Sequence, residues 1–127
     1  VIDLSLFNGL MGNATEANKE EIKKELSRLL MTGEEIGASY KLVRDLIVFT
    51  NKRLILVDKQ GVTGKKIEYL SLPYKSITHF SVETAGTFDL DAELKIYVSG
   101  RATPIAKQFR KDDSIFDIQK TLSELVI

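Results

Sequence analysis

The 127-residue chain contains no cysteine, and this one absence removes disulfides, thiolate metal sites and cysteine nucleophiles together. The redox compartment is left open, and the cytoplasm is the default expectation. Net charge is absent too: 18 lysines and arginines face 18 aspartates and glutamates. No global field exists to hold a polyanion or an acidic membrane, so nucleic acid is not expected as a partner and any anion site must be local. No run approaches the roughly 18 apolar residues of a membrane span. Residues 1–21, "VIDLSLFNGLMGNATEANKEE", carry Asp3 and no basic leader ahead of a short apolar run, unlike a secretory signal. Histidine occurs once, as His79, and proline only twice, so neither a histidine cluster nor a proline-rich linker is available.

Present instead are 43% hydrophobic and 28% charged residues, the balance of an ordinary globular protein. The length fits one domain, 1–127, made of an N-terminal helical segment (1–32), a β region (33–110) and a terminal helix (112–127).

From Ala14 to Met31 the residues Ile22, Leu26, Leu29 and Leu30 recur at helical spacing among Glu20, Glu21, Lys23, Lys24 and Glu25. This predicts an amphipathic helix ended by Gly33. Asn13 with Glu16 three residues on reads as its cap in preference to the overlapping "NAT" glycosylation sequon. Ahead of it, Ile2, Leu6, Leu10 and Met11 form a shorter apolar stripe that needs a surface to bury against.

After Gly33 the composition turns to branched and aromatic residues in seven short segments: "EEIGASYKLVRD", "LIVFT", "RLILVDK", "KKIEYLSL", "ITHFSVET", "ELKIYVSG" and "TPIAKQF". Their separators are too short for crossover helices, so the strands must be antiparallel and meander. In "DDSIFDIQKTLSELVI" the residues Ile115, Ile118, Leu122 and Leu125 form one stripe behind a capping candidate at Asp113 or Ser114. The expected class is α+β, mainly β: a small seven-stranded antiparallel barrel, an apolar lid from the C-terminal helix, and an extra N-terminal helix. Pro104 cannot donate to a ladder and marks the seventh strand as an edge.

The most informative stretch is "IVFTNKRLILVD", residues 47–58. With Asn51 and Lys52 as a two-residue turn, Phe49 faces Leu54, Val48 faces Ile55 and Ile47 faces Leu56. One face then carries Ile47, Phe49, Leu54 and Leu56, and the other carries Leu46, Val48, Ile55 and Val57. Both are apolar. A solvated sheet face alternates with polar residues, so the second face must be covered by the N-terminal helix, by another subunit, or by both.

"FTNKRLILVDKQGVTGKKIEYLSLPYKSITHFSVETAGTFDLDAELKI", residues 49–96, resembles the bacterial pleckstrin-homology domain family. The resemblance rests on the Phe-Thr-Asn-Lys-Arg hairpin, the Pro-Tyr ahead of an isoleucine-containing strand, and the Gly-Thr-Phe-Asp loop, and it extends over essentially the whole chain. It implies a seven-stranded pleckstrin-homology-like barrel closed by the terminal helix. It also implies homo-oligomers built by edge and helix contacts, a ring among the forms. It implies no defined biochemical role, and fold likeness alone does not transfer phosphoinositide binding.

Other stretches carry residues of chemical interest. The turns near 41–45 and 59–66 lie at one end of a meander and gather Lys41, Arg44, Lys59, Lys65 and Lys66, a candidate anion or acidic head-group site diluted by Asp45 and Asp58. "DLDAE", 89–93, sets three carboxylates at alternate positions but fails the calcium-loop pattern, with Leu94 where glycine belongs. "GVTGKK", 61–66, has two residues between its glycines where a phosphate loop has four, and reads as a hairpin turn. His79 alternates with Phe80 and Val82 away from the core and has no local partners for a triad or zinc site. Residues 1–18 contain no lysine or arginine, unlike an interfacial membrane helix. The expectation is a non-enzymatic binding or scaffolding domain without cofactor or metal. It assembles with itself and presents a surface to an unidentified protein partner.

Overall fold

The structure is a computed structural model that describes residues 16–42, 45–84, 92–109 and 114–127. They fall into two compact units, one ending at Leu72 and the other beginning at Pro73.

The first unit contains helix α1 (Glu16–Glu25) and strands β1 (Ile36–Lys41), β2 (Leu46–Thr50), β3 (Arg53–Gln60) and β4 (Lys66–Pro73), in a sheet of order β1-β2-β3-β4. The hairpin closes on Asn51 and Lys52 with the register that alternation requires: Leu46 opposite Val57, Ile47 opposite Leu56, Val48 opposite Ile55 and Phe49 opposite Leu54. All five residues of β2 are buried, as are Leu54 to Val57 on β3. Strand β1 runs antiparallel to β2, pairing Ser39 with Val48 and Tyr40 with Ile47 after a bulge between Ile36 and Ala38. Tyr40 and Phe49 meet edge to face, ring centroids 6.1 Å apart. Between β3 and β4, Gly61 and Gly64 take φ of 78° and 69°, the left-handed values for which the turn uses glycine.

Helix α1 ends earlier than the periodicity predicts. Regular helix stops at Glu25, and the chain continues through Leu30 in hydrogen-bonded turns, with Leu29 N–H donating to Leu26 O at 2.8 Å and Leu30 N–H to the same oxygen at 3.2 Å. The predicted cap at Asn13 and the apolar stripe from Ile2 to Met11 lie outside the described residues.

The second unit holds a 3₁₀ turn (Tyr74–Ser76), β5 (Ile77–Glu83), β6 (Ala92–Val98), β7 (Ile105–Phe109) and helix α2 (Ser114–Val126), its sheet ordered β5-β6-β7. Strand β7 is an edge and begins directly after Pro104, where the missing N–H places it. Helix α2 packs on β5, β6 and the 3₁₀ turn, burying Ile115, Ile118 and Leu122, while Leu125 is half-buried. Thr121, fully buried in α2, satisfies its hydroxyl by donating to Asp117 O at 2.9 Å.

Among the described residues the mainly β fold, with seven antiparallel strands and an N-terminal and a C-terminal helix, is as the sequence implies, with one correction to the barrel. The strands are divided between a four-stranded and a three-stranded sheet and do not run as one continuous meander. The division falls at Pro73, which lacks an N–H, and at the 3₁₀ turn that follows it.

Candidate functional site

By alternation, Thr50 and Arg53 continue the face that carries Leu46, Val48, Ile55 and Val57. An arginine at the end of an apolar face needs an anion, and Glu34 supplies it. Arg53 Nε donates to Glu34 Oε2 at 3.0 Å and Nη2 to Oε1 at 2.9 Å, a two-pronged ion pair. Nη2 also donates to Leu29 O at 2.6 Å, and Nη1 to Ser71 Oγ at 2.8 Å. The Thr50 hydroxyl donates to Glu34 Oε2 at 2.6 Å and accepts from the N–H groups of Lys52 and Arg53, each at 3.0 Å. Asn51 clasps the same loop, Nδ2 donating to Gly33 O at 3.0 Å and Oδ1 accepting Glu35 N–H at 2.8 Å.

The Glu34 side chain is wholly buried, and burial alone pushes its carboxyl up. The bonds from Arg53, Thr50 and the Met31 N–H, together with the Arg53 charge, outweigh that and hold it below its ordinary value of 4.5. Thr50, Asn51 and Arg53 therefore form a latch. They tie the connection between α1 and β1 to the tip of the hairpin.

The latch positions α1. Ile22 and Leu26 pack with Leu46, Val48, Ile55 and Val57 in one cluster, flanked by Leu29, Leu30, Ile36, Ile67 and Tyr69. The second apolar face of the hairpin is thus covered inside the chain by its own helix. At the rim, Lys59 Nζ meets Glu25 Oε1 at 3.0 Å. Under the helix, Ser39 shares the face of Val48, its paired residue, and its hydroxyl is buried with no hydrogen-bond partner.

The β1–β2 and β3–β4 connections lie at the same end of the four-stranded sheet, so Lys41, Lys59, Lys65 and Lys66 are at that end. Lys41, Lys65 and Lys66 are exposed, whereas the Lys59 ammonium is engaged with Glu25 and its backbone N–H donates to Asp45 at 3.0 Å. Arg44 lies outside the described residues. Between the lysines, Val62 stands fully exposed at the turn tip.

In the second unit, His79 is exposed and stacks on its cross-strand partner Tyr97, ring centroids 4.1 Å apart and planes 11° from parallel. Thr78 Oγ lies 2.9 Å from the histidine Nδ1. Of the acidic stretch 89–93, Glu93 pairs with Lys95 at 3.6 Å, and Asp89 and Asp91 lie outside the described residues. No group of three potential metal ligands occurs among the described residues, and none of the described helices is long and apolar enough to cross a membrane.

Glu34 escaped sequence reasoning. Nothing local separates it from Glu35, and the one available signal was Arg53 on a face otherwise apolar.

Comparison with known proteins agrees with this fold. Residues 5–126 match the family model described as bacterial PH domain. The chain is 60% identical over 121 residues to YjqA of Bacillus subtilis (strain 168), an uncharacterized protein, covering 94% of this chain and 97% of that one. Its fold is similar to the crystal structure of a pleckstrin homology domain from Shewanella amazonensis SB2B, with TM-score 0.81 and 52% identity, covering 96% of this chain and 98% of that one. It is also similar to a DUF1696 family protein with a pleckstrin-homology domain from Shewanella loihica PV-4, with TM-score 0.76 and 52% identity, covering 91% and 99%.

Proposed function

Since the chain belongs to the bacterial PH domain family, we propose that it works as a non-enzymatic binding and scaffolding domain. It assembles with itself in the cytoplasm and presents a surface to a second protein. The observation that carries this reading is strand β5. It is seven residues long, pairs among the described residues of its sheet with β6 alone, and exposes Thr78, His79, Ser81 and Glu83. A strand paired on one side offers unsatisfied N–H and C=O groups to another chain. The test is solution mass by size-exclusion chromatography with light scattering. A multiple of 14.3 kDa at micromolar concentration supports the reading, and a monomer at every concentration refutes it.

A second reading, an anion or acidic head-group module, is favoured by one feature. Val62 projects at the turn tip beside exposed Lys65 and Lys66, with Lys41 at the same end of the sheet. An apolar tip among cations suits an anionic lipid surface. Salt-dependent sedimentation with acidic vesicles, abolished by Lys65→Glu with Lys66→Glu, supports it. No binding at low salt refutes it.

A further inference from the structure

The three-stranded sheet buries its core face at one edge and leaves it partly open at the other. On the central strand β6, Leu94 and Ile96 are wholly buried. At the β7 edge Ile105, opposite Ile96, is buried too, and so is Phe109. At the β5 edge the residues opposite Leu94 and Ile96 are Val82 and Phe80, and both are half-exposed. Two apolar side chains of the core row thus reach an edge that is unpaired among the described residues, where one more strand would cover them.

The outer row of the same strand supplies charge and polarity. His79, Ser81 and Glu83 alternate with Phe80 and Val82 and face away from the core. Glu83 stands directly opposite Glu93, a like-charge pair, and the nearby Lys95 is taken by Glu93 at 3.6 Å. Glu83 has no ion-pair partner among the described residues, and residues 84–92 contain two aspartates and no lysine or arginine. At the other end the Thr78 hydroxyl has one hydrogen and donates it to Tyr97 O at 3.1 Å, so at 2.9 Å it accepts from His79 Nδ1–H. In the neutral ring Nε2 is then the acceptor, on an exposed side chain.

We propose that the β5 edge takes an extended segment of a partner protein as a further strand of this sheet, antiparallel to residues 79–83. Read from its N-terminus, the segment carries a lysine or arginine, an apolar residue, any residue, an apolar residue, and a serine or threonine. These stand opposite Glu83, Val82, Ser81, Phe80 and His79 in turn. The cation meets the unneutralised carboxylate, the two apolar side chains extend the core row, and the hydroxyl donates to His79 Nε2. Alternate residues of β5 turn their N–H and C=O away from β6, and these complete the ladder. The bulge between Ile77 and His79 ends the regular edge, which limits the segment to about five paired residues. A second copy of β5 centred on Ser81 would set a histidine, not a lysine or arginine, against Glu83, so charge favours a different chain. The inference rests on the reading that the β5 edge serves another chain, and it names the segment taken.

The test is fluorescence anisotropy at low salt with the full chain and a labelled peptide, Lys-Val-Thr-Val-Thr flanked by glycine and serine. Saturable binding is expected. Glu83→Lys, at an exposed position where it relieves the opposition to Glu93, should weaken binding about fivefold or more, and a peptide with glutamate in place of its lysine should restore it. A peptide with every backbone N–H methylated cannot join a ladder and should not bind. Should Glu83→Lys fail to fold, Glu83→Gln takes its place, with loss of the preference for the lysine peptide over the glutamate peptide as the readout. No saturable binding up to about millimolar peptide, binding indifferent to charge reversal, or binding that survives methylation overturns the proposal. Light scattering on the same samples separates it from self-assembly. An oligomer that ignores the peptide leaves self-assembly standing and sinks the strand site, and a monomer that binds the peptide does the reverse. Binding that occurs only as an oligomer dissociates assigns the edge to a second copy and overturns the proposal.

Discussion

Replacing Arg53 with methionine keeps the length of the apolar stem and removes the guanidinium. Its loss leaves the Glu34 carboxylate, fully buried, with only the Thr50 hydroxyl and the Met31 N–H for company, and it also frees Leu29 O and Ser71 Oγ. Breaking a buried ion pair from one side typically costs 3–5 kcal/mol, and the partial exposure of Arg53, 17%, argues for the lower end, about 3 kcal/mol. For a domain of this size that corresponds to a fall of roughly 10 °C in Tm. Urea unfolding followed by circular dichroism gives the number directly. Glu34→Leu combined with Arg53→Met should recover much of the loss, because the double change leaves no stranded charge.

The pH dependence adds a signed check. In the native chain the folded Glu34 carboxyl lies below 4.5, so its contribution is present above that pH and is lost as pH falls through the folded value. In Arg53→Met, burial persists while the main bonds that opposed it are gone. The carboxyl then rises, and mild acid should stabilise the variant relative to neutral pH. A loss under about 1 kcal/mol, or a double variant no better than the worse single one, would refute the latch as described.

Leu26→Ala removes a fully buried anchor of α1 and is expected to cost about 2–5 kcal/mol by urea unfolding. Amide exchange in α1 should accelerate more than in β2 and β3. Thr50→Val deletes the short bond to Glu34 and the acceptor for two turn N–H groups, with an expected cost of about 1–3 kcal/mol in the same assay. Ser39→Ala removes a buried hydroxyl that has no partner, so it should leave Tm unchanged or raise it; a clear fall would show that the hydroxyl is satisfied. Gly33→Ala places a Cβ on a left-handed backbone and should lower stability by about 1 kcal/mol.

Much of the fold was legible because its signals are local. Two-residue alternation and short separators located all seven strands, and the 3.6-residue stripe of Ile115, Ile118 and Leu122 located α2 and its buried side. The candidate site was less legible. Lys41, Lys59, Lys65 and Lys66 lie at one end of a sheet, as an antiparallel connection order dictates, yet nothing near Lys59 in sequence announces that Glu25 neutralises it. The same holds for Glu34, which meets Thr50 and Arg53 across 16 and 19 residues of intervening chain.

From the residues alone it followed that the hairpin 46–57 is apolar on both faces, in what register, and that its second face could not stay wet. Backbone pleating forces that conclusion wherever such a stretch is extended. Only the tertiary structure decided that α1 covers the face, that Glu34 and not Glu35 completes the latch, and that the strands part into two sheets at Pro73. Those choices depend on how distant segments return to one another. Several covers and several carboxylates satisfy the local pattern equally, and close packing with pairing of buried charge selects among them only once the chain has closed on itself.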